Sequence, residues 1–196
     1  MSSRTVKIDR NTSETKISLS LNLDGQGRYE LETGIGFFDH MLSHLAKHGR
    51  FDLILKVVGD LHIDDHQTVE DDGICMGQAL AKALVDKRGI NRYGSASVPM
   101  DEVLANCAID LGGRPSLAFN AKFHSGKIGT FDTQLVDEFM RAFTNNALMN
   151  LHINVPYGTN DHHIAEGIFK SVGRALAMAV AHVPGSNDIP STKGVL

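Results

Sequence analysis

Asp65-His66-Gln67-Thr68-Val69-Glu70 and Asp161-His162-His163-Ile164-Ala165-Glu166 read as one stretch written twice. Each begins with an acid and a histidine and closes with a glutamate four residues after that histidine. Leu53, Leu55 and Val57 alternate ahead of the first copy, and Leu151, Ile153 and Val155 ahead of the second. That period of two predicts a strand in both places. Behind the copies, Val69, Met76, Leu80 and Leu84, and Ile164, Ile168, Val172 and Leu176, recur at helical spacing. Asp64 or Asp65 is placed to cap the first helix, and Asn160-Asp161 opens the second. The repeated unit is a strand, then a helix whose first turn carries imidazole and carboxylate.

Working outward, the halves keep the same order. Ile17, Leu19, Leu21 and Leu23 alternate, Asp24-Gly25 turns the chain, and a second extended stretch runs near Tyr29 to Thr33. Phe37, Met41, Leu42 and Leu45 then mark a helix that ends near Gly49. In the second half Val103, Cys107, Ile109 and Leu111 alternate, Gly112-Gly113 turns, and Leu117, Phe119 and Phe123 return. Val136, Phe139, Phe143 and Leu148 mark the helix. The expected architecture is a mixed α/β fold of the two-layer α+β kind, an internal duplication of two ββαβα half-domains. The halves are residues 1–92 and 93–196, joined as one compact unit, with sheets covered by helices on one side. The tail beyond Pro184-Gly185 reads as loop.

Composition excludes several classes of function. The 196 residues are 42% hydrophobic and 21% charged, as in an ordinary folded domain. A net charge of −4 offers no basic face for duplex nucleic acid. Met1 to Lys7 has no apolar segment of the kind a signal peptide needs. The longest nearly apolar run, Ala175 to Val183, is far too short to cross a bilayer. Cys75 and Cys107 form neither a disulfide framework nor a thiolate metal site. A cytoplasmic protein is the expectation. Histidine is the outlier, with ten residues, several of them clustered.

Positions three and four apart share a helix face, so His162 or His163 converges with Glu166, and His66 or Gln67 with Glu70. Imidazole with carboxylate suits zinc, manganese or iron rather than calcium. Neighbouring helix positions diverge by roughly 100°, so His162 and His163 suit two ions better than one. The duplication adds a pair, because Asp39-His40 aligns with Asp137-Glu138, which makes Glu138 the counterpart of His40. Capping and solvation would account for one such cluster; repetition at the same place argues for metal. His44, His48, His62 and His124 have no such support and read as ordinary polar positions, and His152 as a sheet-face residue. Glu14 and Glu102 stand at matching hairpin starts, where a glutamate is usually solvated. Of the cations Arg92, Arg114, Lys170 and Lys193, Lys170 carries most weight, since it lies on the face of the second metal helix and suits an anionic substrate.

Several long motifs also match a known family. They are Gly34-Ile35-Gly36-Phe37-Phe38-Asp39-His40-Met41-Leu42, Asp64 to Asp71, Gly158 to Lys170, and Pro190-Ser191-Thr192-Lys193-Gly194. Over essentially its full length the chain resembles imidazoleglycerol-phosphate dehydratase of histidine biosynthesis. The resemblance implies a large symmetric shell, of 24 subunits in the family, with dimanganese sites at subunit contacts. By position, one ion would take His66, Glu138, His162 and Glu166, and the other His40, Gln67, Glu70 and His163. Arg92, Arg114, Lys170, Ser191 and Lys193 match the family's substrate and phosphate contacts, and Glu14 its proposed acid–base residue. The implied reaction expels a hydroxyl beside the imidazole ring under the influence of the metals. Glu14 takes the proton from the adjacent carbon, and the enol becomes the ketone of imidazole-acetol phosphate.

There are two departures. Glu138 replaces a histidine with an acceptable manganese ligand. Gln67 breaks the paired histidines with a neutral carboxamide, which puts the second ion at a disadvantage. Two other readings share this ligand set: a dimetal hydrolase of a phosphorylated small molecule, and a metal-assembled shell whose catalysis Gln67 has weakened. The full-length match and the lack of a further Asp-rich cluster count against the hydrolase.

Overall fold

The computed structural model describes residues 4–196; residues 1–3, the start of the stretch examined for a signal peptide, lie outside them. The first half runs β1 (Thr5–Asn11), β2 (Thr15–Asn22), β3 (Tyr29–Glu32), α1 (Gly36–Gly49), β4 (Asp52–Gly59) and α2 (His66–Leu84). The second runs β5 (Tyr93–Met100), β6 (Val103–Asp110), β7 (Ser116–Asn120), a short β8 (Lys127–Ile128) and β9 (Phe131–Asp132) hairpin, α3 (Gln134–Ala147), β10 (Asn150–Tyr157) and α4 (Asp161–Val180). The two main sheets have strand orders β1-β2-β4-β3 and β5-β6-β10-β7, one topology used twice.

The main sheet of each half therefore carries one strand more than the ββαβα pattern read from the sequence, and the second half adds the β8–β9 hairpin. β1 and β5 are edge strands. Ile8 is the one buried residue of β1, and β5 holds Gly94 and Pro99, so neither shows a clean apolar alternation. The stretches after Asp24-Gly25 and Gly112-Gly113 also differ from the expected hairpin return. β3 pairs parallel with β4, and β7 parallel with β10, at the far edge of each sheet. The hairpins are instead β1–β2 and β5–β6.

Alternation decides which sheet face is covered. Ile17, Leu19 and Leu21 of β2 are buried and stand opposite Val57, Leu55 and Leu53 of β4. Cys107 and Ile109 of β6 stand opposite Ile153 and Leu151 of β10. α2 packs on β1, β2 and β4, and α4 on β5, β6 and β10. The halves meet through their helices, α2 against α3 and α1 against α4, so one apolar core spans both. Each half is two-layered, and together they place four helices between two sheets.

The helix pairs repeat to the level of single atoms. A Cβ on Gly77 of α2 would lie 2.6 Å from the Phe143 carbonyl oxygen and 2.8 Å from the Ala147 nitrogen of α3. A Cβ on Gly173 of α4 would lie 2.7 Å from the Leu45 carbonyl oxygen and 3.0 Å from the Gly49 nitrogen of α1. Gly77 and Gly173 occupy the same place in the repeat, as do Phe143 and Leu45. Backbones this close admit no side chain, and this contact sets how the helix starts converge.

Candidate metal centre

The metal-type side chains sit on helix starts, and local sequence holds each start in place. Asn160 caps α4, its side-chain oxygen accepting from the backbone N–H groups of His162 and His163 at 2.9 and 3.3 Å. Asp64 accepts from the N–H of His66 at 2.9 Å, which serves the opening of α2. Asp39 Oδ1 accepts from the Thr33 hydroxyl at 2.7 Å and its N–H at 3.1 Å, tying down the turn that presents His40. Phe37 meets the His162 ring edge-on at 5.3 Å and restricts its orientation.

Two trios result. His40, His162 and Glu166 offer ligand atoms within 4.8 Å of one another, and so do His66, Glu70 and Glu138. In the first, Glu166 is buried; its Oε2 lies 3.2 Å from His162 Nε2 and 3.6 Å from His40 Nε2. In the second, His66 Nε2 and Glu70 Oε2 stand 3.9 Å apart across one helical turn, and Glu138 reaches in from α3. Nitrogen and carboxylate donors at these separations fit a divalent transition-type ion.

Within one chain the trios do not reproduce the four-residue sets that the resemblance implies. His66 and Glu138 lie in one trio, while His162 and Glu166 lie in the other. Likewise Glu70 stands on the α2–α3 pair and His40 on the α1–α4 pair. Gln67 has an exposed side chain with no hydrogen bond among the described residues. His163 turns from Glu166 to the β5–β6 turn, where Nδ1 lies 2.8 Å from Glu102 Oε2. That bond, with backbone N–H donation from Asn160, holds the Glu102 carboxyl down to about 2.

His44, read from the sequence as an ordinary polar residue, faces the first trio. Its Nε2 lies 3.3 Å from His40 Nε2 and 3.5 Å from Glu166 Oε1. Burial pushes its pKa down to about 4. The spacing His40, His44, His48, one residue per turn, was the available signal. Lys170 Nζ sits 2.5 Å from Glu166 Oε1, one turn along α4. Burial opposes the Glu166 charge, but Lys170, His44 and His40 outweigh it and hold the carboxyl below its usual range.

The other cations gather elsewhere. Arg92, Arg114, Ser191 and Lys193 line one open cleft of about 820 Å³. Arg92 donates to both oxygens of Asp110, at 2.6 and 3.0 Å, and to the Pro190 carbonyl at 2.9 Å, which anchors the tail. Glu14 lies exposed in the β1–β2 turn. The next residue, Thr15, donates its hydroxyl to Asp71, and Arg10 pairs with the same carboxylate at 2.7 Å. The turn carrying Glu14 is thus fastened to α2 one residue beyond Glu70.

A family model described as imidazoleglycerol-phosphate dehydratase matches residues 33–176. An imidazoleglycerol-phosphate dehydratase from Gluconobacter oxydans is 59% identical over 195 residues, covering 99% of this chain and 98% of that one. Its counterpart from Streptococcus mutans is 55% identical over 98% of this chain and 100% of its own. The crystal structure of the Staphylococcus aureus enzyme superposes with a TM-score of 0.84 at 40% identity, covering 91% of this chain and 99% of that one. The Pyrococcus furiosus structure in complex with (S)-C348 gives 0.82 at 31% identity, covering 96% and 100%.

Proposed function

The chain belongs to the imidazoleglycerol-phosphate dehydratase family and eliminates water from imidazoleglycerol phosphate, and we propose that it does so at a two-ion manganese centre closed between neighbouring copies. The division of the donors into two trios carries this reading. One chain presents each four-residue set in two halves on separate helix pairs, and a second copy bringing the complementary trio would complete both. Symmetric assembly is the usual way for a chain to supply such a partner, here as a large closed shell. In a second reading, favoured by ligand atoms that already lie within 4.8 Å of one another in each trio, each trio would hold one ion within a single chain. No described helix is long and apolar enough to cross a membrane, and the compartment we propose is the cytoplasm.

The first ion would be held by His66, Glu138, His162 and Glu166, and the second by His40, Gln67, Glu70 and His163. Bound ions would supply Lewis acidity to the imidazole nitrogens of the substrate. Lys170 keeps Glu166 ionised and oriented. Arg114, together with Ser191 and Lys193 on a tail anchored by Arg92, binds the phosphate and aligns the glycerol chain. Glu14 then takes the proton from the carbon next to the one that loses its hydroxyl, leaving an enol that becomes the ketone.

Stripping the protein with a chelator and titrating manganese back, while following imidazole-acetol phosphate, tests the proposal. Turnover should vanish in the stripped protein and return with manganese. Full turnover by the stripped protein would remove the metal from the account.

A further inference from the structure

Lys87 is a buried lysine that the reaction as described does not use. It lies in the loop between α2 and β5, where Val85, Lys87 and Gly89 all have positive φ, at 49°, 63° and 66°. A β-branched residue rarely adopts that conformation. The loop turns the Lys87 side chain inward, where its ammonium donates to the Leu111 carbonyl at 2.9 Å. Leu111 immediately precedes Gly112-Gly113, and both glycines line the cleft of Arg92, Arg114 and Lys193. A Cβ on Gly113 would stand 3.8 Å from Lys87 Nζ. One glycine separates the buried ammonium from the cleft.

The charge balance there is uneven. Asp110 is engaged by Arg92 and also attracts the Lys87 ammonium through space, so one carboxylate is shared by two cations. Among the described residues no carboxylate pairs with Lys87, Arg114 or Lys193, since none of the three enters an ion pair. Burying an ammonium against one carbonyl and a carboxylate already paired with Arg92 is unfavourable unless something nearby benefits from the charge. A dianionic group in the cleft would, because the field of a cation shielded from water reaches further than that of an exposed one.

We propose that Lys87 is a positioning residue for the phosphate end of the substrate. It fixes the Gly112-Gly113 turn through Leu111 and adds positive potential from beneath the cleft. This rests on the cleft being the phosphate site, and the experiment separates the two ideas. In manganese-loaded protein, Lys87→Met should raise both KM and the inhibition constant of inorganic phosphate about tenfold, a change corresponding to one lost interaction of modest strength. kcat and metal content should stay near the parent values. Lys87→Arg should recover most of the phosphate affinity, whereas Lys87→Gln, which keeps a donor and loses the charge, should not. A parallel Arg114→Met variant tests the cleft itself. If Arg114→Met weakens phosphate and Lys87→Met leaves KM and the inhibition constant unchanged, the role of Lys87 is overturned. If neither variant changes phosphate inhibition, the cleft is not the phosphate site and both ideas fall.

Discussion

Gln67 and His163 occupy the same position in the two halves, and their surroundings differ. His163 has Glu102 behind its ring at 2.8 Å, whereas Gln67 has an exposed side chain on the first turn of α2. A ligating imidazole held by a carboxylate is a better donor than a free carboxamide, and loss of such support typically costs about 10–100-fold in metal affinity. The exposure of Gln67 leaves room for a ring, so Gln67→His should tighten the weaker manganese site by about tenfold, within that range. Manganese titration of both stripped proteins checks this; identical curves would mean that position 67 contributes little. Glu14 carries the second expectation at this scale. Glu14→Gln should keep metal content and substrate binding while turnover drops by about 10²–10⁴-fold, the usual contribution of a general base. A variant within twofold of the parent would leave the proton transfer without its residue.

Helices α2 and α4 are copies of one element, and their differences expose what each position needs. Ile168 of α4 is buried apolar core, and its counterpart in α2 is Asp72, fully buried with no hydrogen-bond partner for either carboxylate oxygen among the described residues. Burial first, then Asp71 and Asp39, push the Asp72 carboxyl well above its ordinary range. The folded chain therefore retains a proton that the unfolded chain releases, and this costs stability as pH rises past the carboxylate range. Asp72→Val should stabilise the fold by about 1–3 kcal/mol, the cost of an unsatisfied buried group. The gain should be larger at neutral pH than in acid, as denaturant melts at the two conditions will read. Equal or lower stability at neutral pH would show that Asp72 has a partner in the working protein. The same comparison explains what the sequence reveals. The helix starts and central strands follow from local periodicity and i, i+4 spacing. β1 and β5 escape because edge strands need little apolar alternation. The parallel placement of β3 and β7 depends on pairing with strands that come later in the chain. The cleft joins residues 92, 114, 191 and 193, which no local pattern relates; only the resemblance to the family groups them.

At the scale of the whole molecule, the duplication is what the proposed assembly would use. The chain uses one topology twice and joins the halves through matching glycine contacts, so each helix pair ends in a trio. In the proposed centre half of the donors come from each helix pair, which calls for two chains. Complementation between two inactive variants tests this directly. Glu70→Gln disables one trio and His162→Ala the other, so each variant alone should be inactive. The two are unfolded to subunits, mixed in equal amounts and reassembled with manganese. If the centre lies between copies, random mixing leaves intact about one site in four, and about a quarter of the parental activity should return. A reassembled mixture no more active than the separate variants would contradict a shared centre and place each ion within a single chain.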